Sequence, residues 1–324
     1  MTGRTPSRRG VLRAALLGAG PASVLAGCSE DTGPARRLRF ATGAPGGPYN
    51  AFGKALAAQA ARTVPRLRVT PVSTSASVDN LLRLGAGSAD LALAMADAAE
   101  DAVRGRPPFP GPAARVTALA RVYVNYTHLV VPARGPVRSL RDLAGRSVAT
   151  GAAGSGGQVL AGRLLRIAGL TGDRAVRQRR LGLAASVDAL RDGTVDALIW
   201  AGGVPTPALS ELARRFPLRF LPLEAEAKTL RDRYGPVYTA VTLPAGVYGL
   251  TEPVGTIGVA NYLLARSGVP SQAAREVLWV VFDRWRVLLD EVTAGARLEP
   301  RFAVATGDVP LHPGAVAYYR SVYG

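Results

Sequence analysis

Two stretches of the chain repeat one order of residues: SVDNL at 77–81 followed by GSADLAL at 87–93, and SVDAL at 186–190 followed by GTVDALI at 193–199. Ser77 and Ser186 are of a residue type that caps helix N-termini. The glycines are typical helix ends, and the aspartates lead into apolar runs typical of buried parallel strands. The repeat therefore predicts a helix, a tight turn and a parallel strand in each half of the chain.

A glycine-rich turn precedes each copy of the repeat. Residues 38–42 predict a strand that enters GAPGGP at 43–48, with a helix from about 50 to 63 after it. Residues 147–150 predict a strand that enters GAAGSGG at 151–157, with a helix from about 158 to 168 after it. Two halves with the same layout predict an α/β fold with two lobes of like topology.

The position of the turns predicts where a ligand binds. Ligands of open α/β sheets bind beyond the carboxyl ends of the strands, which places a ligand in a crevice between the lobes. Glycine-rich turns let backbone amides approach a ligand, and helix N-termini carry partial positive charge. Such a site can hold a carboxylate without an arginine. Neither turn contains G-x-G-x-x-G or Gly-Lys-Ser/Thr, so we expect no nucleotide and no other cofactor.

The N-terminal residues predict export. A basic segment with a twin-arginine look is followed by an apolar run at 11–26, which glycine and proline interrupt and which is too short to span a bilayer. LAGC at 25–28 resembles the bacterial lipobox, in which the cysteine is acylated, for example with palmitate, and becomes the new N-terminus. We therefore expect a signal peptide at 1–27 and a lipidated tether at 28–35. The lipid on Cys28 would anchor the protein to the outer face of the cell membrane.

Composition narrows the possible function classes. The formal net charge is +17, but the arginines are scattered and lack interleaved aromatic residues that stack on bases, so no nucleic-acid partner is expected. Cys28 is the only cysteine, which excludes an internal disulfide and a cysteine-based metal site. His128 and His312 lie too far apart in sequence for the usual metal-ligand pair. We expect no metal, and we expect both histidines to be structural.

Several motifs, taken in order, are similar to those of TAXI proteins, the solute-receptor subunits of tripartite ATP-independent periplasmic (TRAP) transporters. Each motif is weak alone, and their collinear order over roughly residues 38–320 makes the resemblance specific. The motifs are TG at 42–43, GGPY at 46–49, STSASVDN at 73–80, GSADLAL at 87–93, LRDLAGRSV at 140–148, GAAGSG at 151–156, PTP at 205–207, LPAGVY at 243–248 and LHPGA at 311–315.

The resemblance implies a two-lobed, periplasmic-binding-protein-like α/β fold (type II) with the ligand cleft between the lobes. It places a discontinuous first lobe at 36–130 and 257–324 and a second lobe at 131–256. Strands near 127–131 and 257–264 would cross between the lobes as a hinge. It also implies a receptor rather than an enzyme. Such a receptor captures a small organic acid or amino acid by lobe closure and delivers it to a multi-span TRAP permease.

The chain departs from the family pattern at positions near the expected cleft. Asn50 stands where the family often has a second tyrosine, and Met95 and Ala96 stand where glutamine and serine are common. Gly157 occupies a frequent threonine position, and Val204 occupies a tyrosine position. We therefore expect a less polar cleft, and glutamate, a known family ligand, is not carried over.

Candidate ligand-binding residues lie on the turns, helix starts and strand ends of both halves. Tyr49 is expected to hydrogen-bond to or stack on the solute, with packing under its loop as the alternative. Trp200 is expected to form an apolar wall, with core packing as the alternative, and Ser77 is expected only to cap a helix. The candidates are Gly47, Tyr49, Ser73, Thr74, Asn80, Ser155, Gly156, Gln158, Trp200, Gly202 and Tyr248.

Two other functions stay open at this stage. One is a sensor that presents its solute to a membrane signalling protein, and the gene neighbourhood would separate such a sensor from a transport receptor. The third hypothesis is an esterase, because AGSGG at 153–157 resembles the Ala-x-Ser-x-Gly form of a nucleophile elbow, and His312 follows Ser155 as a base. The esterase hypothesis is weaker, since no histidine-glycine oxyanion motif is present and a hydrolase would not explain the repeated layout.

Overall fold

The computed structural model describes residues 35–113, 115–290, 292, 298 and 300–324, so Cys28 and the predicted signal peptide lie outside the described residues. The described chain contains ten strands. They are Arg36–Ala41 (β1), Leu67–Val72 (β2), Leu91–Met95 (β3), Val116–Pro132 (β4), Ser147–Ala149 (β5), Arg177–Arg179 (β6), Ala197–Gly202 (β7), Leu218–Phe220 (β8), Tyr238–Leu243 (β9) and Val254–Arg266 (β10).

Helices connect the strands and flank the sheet. The α-helices of the described chain are Pro48–Thr63 (α1), Ser77–Ala86 (α2), Ala96–Arg104 (α3), Gly156–Ile167 (α4), Leu183–Arg191 (α5), Pro207–Arg215 (α6), Glu224–Tyr234 (α7), Ser271–Asp283 (α8), Trp285–Leu289 (α9), Pro300–Ala303 (α10) and Pro313–Tyr323 (α11). None of the described helices combines the length and apolar character that a bilayer crossing requires.

All ten strands belong to one mixed sheet, in the order β2-β1-β3-β10-β4-β7-β5-β6, with β8 added beside β4 and β9 beside β10. The strands β2, β1 and β3 are mutually parallel, and so are β7, β5 and β6. The two long strands β4 and β10 run antiparallel to each other between these sets. The parallel strand–turn–helix units predicted from the two glycine-rich turns are thus present in both halves.

The register of β4 brings the carboxyl ends of both parallel sets together. The last residue of β3, Met95, pairs with Asn261 of β10, opposite the middle of β4. The last residue of β7, Gly202, pairs with Tyr126 of β4 from the other side. The ends of β3 and β7 therefore approach the same few residues of β4, and the loops that follow these strands converge there.

Buried apolar side chains pack on both faces of this sheet. One cluster joins β1 and α1 to the C-terminal helices and contains Phe40, Phe52 and Tyr319. A second cluster contains Leu198, Leu209 and Phe220, around β7, α6 and β8. The third and largest draws on residues from both halves of the chain, so the described residues form one compact unit.

We expected both serines of the sequence repeat to be helix N-caps, but neither is. Ala76 is the N-cap of α2, and Ser77 is its first helical residue, with Oγ accepting a hydrogen bond from the Met95 amide at 3.1 Å. The helix α5 begins at Leu183, so Ser186 lies within it and its hydroxyl bonds back to the Gly182 carbonyl at 2.8 Å. Both hydroxyls are used inside the fold.

Candidate functional site

A cavity of about 550 Å³ opens where the ends of β3 and β7 meet. Its volume falls within the range of small-molecule sites. The lining comes from the loops and helix starts of both halves and from the middle of β4. It consists of residues 43–49, Ser75, Ala76, Ser77, Met95, Asn125, Gly151, Ala152, Ser155, Gly156, Gly157, residues 182–185, Ile199, Trp200, Ala201 and Ala208.

Five helices direct their N-terminal ends at this cavity. The lining includes the first residues of α1, α2, α4 and α5 and the second residue of α6. The first amides of a helix have no acceptor within the helix, and the helix dipole adds partial positive charge at that end. Pro48 and Pro207, which begin α1 and α6, have no N–H, so the first residues of the other three helices supply the donors there. The cavity therefore offers hydrogen-bond donors and a positive potential, which suits an anion.

The rest of the lining is largely apolar. Met95, Ile199 and Trp200 form part of the wall, and the described lining contains no Asp, Glu, Lys, Arg or His side chain. Gly202 allows Trp200 to take its position, because a Cβ at residue 202 would lie 2.3 Å from the Trp200 indole nitrogen. The indole Nε1 donates to Thr206 Oγ1 at 3.2 Å, so Trp200 presents carbon atoms to the cavity. The composition of the lining agrees with the less polar cleft predicted from the sequence.

Tyr49 lines the cavity and belongs to a buried network of hydrogen bonds. Its hydroxyl donates to Asn261 Oδ1 at 2.5 Å and lies 3.4 Å from Ser77 Oγ. Burial raises the pKa of Tyr49, so the phenol stays protonated. Asn125 and Asn261 were missed by the sequence analysis. The available sequence signal was an amide side chain within a largely apolar strand. Asn125 and its hydrogen-bond partner Asn261 are 136 positions apart in sequence, so their pairing could not be predicted.

The second glycine-rich turn contacts the start of α2 beside the cavity. The amides of Val78 and Asp79, in the first turn of α2, donate to the Gly154 carbonyl at 3.0 and 3.3 Å. A Cβ added to Gly156 would lie 2.6 Å from Ser77 Oγ and 2.8 Å from Met95 Sδ, so only glycine fits there without movement. The start of α4 thus packs closely on the start of α2.

Of the residues predicted to bind the ligand on the second turn, Ser155 and Gly156 line the cavity, whereas Gln158 does not. Ser155 is the N-cap of α4, and its Oγ accepts from the Gln158 amide at 3.1 Å. Gln158 Oε1 accepts from the Gly154 amide at 2.9 Å. These bonds shape the turn and leave Gln158 a supporting residue. Gly47, also among the predicted residues, lines the cavity from the first turn.

Ser73, Thr74 and Asn80, also predicted to bind the ligand, are absent from the described lining. Asn80 is fully buried and donates to the carbonyls of Thr42 and Leu93 at 2.6 and 2.7 Å. Its Oδ1 accepts from the Thr74 hydroxyl at 2.6 Å, and Ser73 Oγ accepts from an asparagine side chain at 3.3 Å. The hydrogen bonds of these residues therefore hold the start of α2 against the ends of the neighbouring strands.

Tyr248 and Gly202 also lie outside the described lining. The Tyr248 ring stacks on Phe220 with centroids 4.8 Å apart, and its hydroxyl accepts from the Thr206 amide at 2.6 Å. His128 Nε2 lies 3.1 Å from the same hydroxyl, and burial lowers the pKa of His128 to about 4. Tyr248 and His128 therefore support the second half of the fold, which agrees with the structural role predicted for His128.

A buried cluster of charges connects the first half to the second away from the cavity. Arg163 of α4 contacts both Asp97 and Asp101 of α3, and Tyr238 donates to Asp97 Oδ2 at 2.8 Å. All three charged side chains are less than a tenth exposed. Burial raises the pKa of Asp97, and the charge of Arg163 opposes that rise. The sequence pattern does not predict this cluster, because its members are brought together only by the fold.

The geometry removes the basis of the esterase hypothesis. Ser155 has an ordinary extended backbone (φ −85°, ψ 155°) instead of the strained turn of a nucleophile elbow. His312 caps α11, and its Nδ1 accepts from the Gly314 amide at 3.0 Å. The His312 amide bonds to Ala118, near the far end of β4 from the cavity. Ser155 and His312 thus belong to opposite parts of the fold.

The fold is that of the periplasmic solute-binding proteins. It is similar to MatC from Rhodopseudomonas palustris with bound malate, with a TM-score of 0.54 and 16% identity over 80% of this chain and 89% of that one. It is also similar to PhnD1 from Prochlorococcus marinus in complex with methylphosphonate, with a TM-score of 0.53 and 12% identity over 79% of this chain and 89% of that one. A family model matches residues 40–322, and the chain belongs to the NMT1-like family of periplasmic solute-binding proteins.

Proposed function

We propose that the protein is an extracytoplasmic receptor that binds a small organic acid in the cavity at the middle of β4. The observation that carries this proposal is the convergence of five helix N-termini on a cavity whose described lining contains no ionisable side chain. Helix N-termini favour anions, and the apolar wall favours a ligand with a hydrocarbon body. The malate of MatC and the methylphosphonate of PhnD1, both acids, are in keeping with this class of ligand.

Capture by closure of two lobes is part of the proposal. We assign 36–130 and 257–324 to one lobe and 131–256 to the other, with β4 and β10 as the hinge. These two strands lie between the parallel sets, and the cavity is lined from both halves of the chain. The contact between α2 and Gly154 would then be a contact of the closed form.

Delivery to a TRAP-type permease and anchoring through an acylated Cys28 complete the proposed function. Their support is the collinear resemblance to TAXI receptors and the lipobox-like LAGC at 25–28. The mass of the mature N-terminus tests the anchor: an unmodified Cys28 in protein from membranes would contradict it. A gene for a multi-span permease beside this one would favour transport over sensing.

Thermal unfolding of the purified full-length protein tests acid binding. The ligands are carboxylates, each matched with its uncharged amide and with the amine of the same skeleton. We expect an acid to raise the midpoint of unfolding, because a ligand at about 100 times its dissociation constant adds about 2.7 kcal/mol to the free energy of unfolding. The matched amide and amine should have little effect. Stabilisation by the amine or the amide, and by no acid, would contradict the proposal.

A further inference from the structure

A buried amide beside the cavity, at the middle of β4, has an acceptor atom without a partner in the described part of the chain. Asn125 is 3% exposed and lines the cavity. Its Nδ2 donates to Asn261 Oδ1 at 3.2 Å, whereas its Oδ1 has no hydrogen-bond partner among the described residues. Burial of a polar atom without a partner costs free energy, and a ligand that supplies the partner recovers it.

The surrounding hydrogen bonds establish which end of the Asn125 amide is free. Asn261 Nδ2 donates to the Tyr123 carbonyl at 3.2 Å, so Asn261 Oδ1 is the atom turned toward Tyr49 and Asn125. That oxygen must receive a donor from Asn125, since a flipped amide would place oxygen against oxygen. The free atom of Asn125 is therefore the acceptor Oδ1.

We propose that Asn125 Oδ1 accepts a hydrogen bond from the solute, and that the solute is an acid which also carries an N–H or O–H donor. Alpha-amino acids and alpha-hydroxy acids have this combination. The inference rests on the acid-binding function proposed above and narrows its ligand class. Backbone amides at helix N-termini only donate, so they suit the acid group, whereas Asn125 Oδ1 only accepts.

A second acceptor lies beside Asn125. The Tyr49 hydroxyl gives its proton to Asn261, which leaves a lone pair of its oxygen for another donor. Tyr49 and Asn125 both line the cavity, and both bond to the same Asn261 oxygen. The Tyr49 oxygen also lies 3.4 Å from Ser77 Oγ, whose hydroxyl can donate to it, so Asn125 Oδ1 is the acceptor that lacks a partner among the described residues. A simple alkyl carboxylate would leave that atom without a partner.

Calorimetric titration of the full-length protein with matched acids tests the inference. One set is leucine, its hydroxy-acid analogue and isocaproate, and the other is phenylalanine, phenyllactate and hydrocinnamate. Within a set the carboxylate and hydrocarbon body stay the same, and only the amino or hydroxyl donor changes. We expect at least one donor-bearing acid to bind about tenfold or more tightly than its deoxy counterpart, as expected for a buried acceptor that would otherwise lack a partner.

Two variants connect this preference to Asn125. Asn125→Leu removes the acceptor, and we expect the preference to fall to about twofold or less. Thr127→Val is the matched control, because Thr127 lies on the same strand, is buried and has an unpartnered Oγ1, yet is outside the described cavity lining. The control should keep the preference of the original protein.

The outcomes separate this inference from the proposed function. Deoxy acids that bind as tightly as the amino and hydroxy acids would overturn the role of Asn125 and leave acid binding intact. The role of Asn125 would also be overturned if Asn125→Leu kept the full preference for donor-bearing acids over deoxy acids. Failure of every acid to bind would overturn both proposals. Should Asn125→Leu not fold, Asn125→Asp replaces it: its buried carboxyl keeps an acceptor, and we expect the preference for the amino acid over the deoxy acid to persist or rise.

Discussion

The helices α2 and α5 contain the same serine-valine-aspartate sequence, but their N-terminal amides have different partners. In α2 the amides of Val78 and Asp79 bond to the Gly154 carbonyl from the other half of the chain. In α5 the helix begins at Leu183, three residues before the serine, and residues 182–185 line the cavity. One copy of the repeat therefore connects the halves, whereas the helix that contains the other copy begins at the cavity.

The difference has a local cause. Gly182 is extended (φ −67°, ψ 169°) and acts as the N-cap of α5, so the helix starts before the motif. The N-cap of α2 is Ala76, which has a positive φ of 79°, and the helix starts at the serine. A repeated motif thus establishes that two helices exist, while the residues before it decide which amides are free.

The largest expected effect comes from breaking the charged connection between the halves. Arg163→Met removes the cation beside Asp97 and leaves the buried Asp101 with Arg106 alone, so we expect a loss of about 3–5 kcal/mol in the free energy of unfolding, measured with urea near neutral pH. The loss should shrink as the pH falls, because the buried carboxyls, whose pKa values burial already raises, then become neutral.

The control for this variant is an exposed arginine of α5. Arg191 pairs with Asp188 and Asp192, and all three side chains are more than half exposed. Arg191→Met should leave the free energy of unfolding nearly unchanged, because exposed ion pairs are screened by solvent. Equal losses in the two variants would show that the Arg163 cluster has no special part in joining the halves.

A smaller effect is expected from the contact between the starts of α2 and α4. Gly156→Ala places a Cβ within 3 Å of Ser77 Oγ and Met95 Sδ, whereas Gly157→Ala meets Ser155 Oγ at 3.7 Å. Overpacking of this kind costs about 1–3 kcal/mol, so we expect the affinity of Gly156→Ala for the acid to fall about tenfold. The affinity of Gly157→Ala should stay close to that of the original protein.

Calorimetric titration of both variants with the same acid measures their two affinities. Tight binding by Gly156→Ala would mean that the ligand does not need the close approach of α2 and α4. In that case the amides of α2 would be free to bind the ligand, and the contrast with α5 would be lost.

Much of the site could be predicted from the sequence because its frame is local. Glycine-rich turns after apolar strands indicated the strand ends, and Tyr49, Gly156 and Trp200 do line the cavity. Asn80 and Tyr248, also predicted to bind the ligand, lie outside the described lining, because side-chain direction depends on tertiary packing. Asn80 points to the carbonyls of Thr42 and Leu93, which only the folded sheet brings close. The Asn125–Asn261 bond depends on the pairing of distant strands in the same way.

The most direct test of the account compares Leu183→Pro with Leu183→Ala. Leu183 is the first residue of α5 and follows an extended glycine, so proline fits there and removes one amide N–H that lines the cavity. Leu183→Ala removes the same side chain and keeps that amide. Both variants should unfold at similar temperatures.

We predict that, in calorimetric titration with the acid that stabilises the original protein, Leu183→Pro binds about fivefold more weakly than Leu183→Ala, as expected for one amide at the exposed start of a helix. Equal affinities in the two variants would contradict the claim that the free amides of α5 hold the acid.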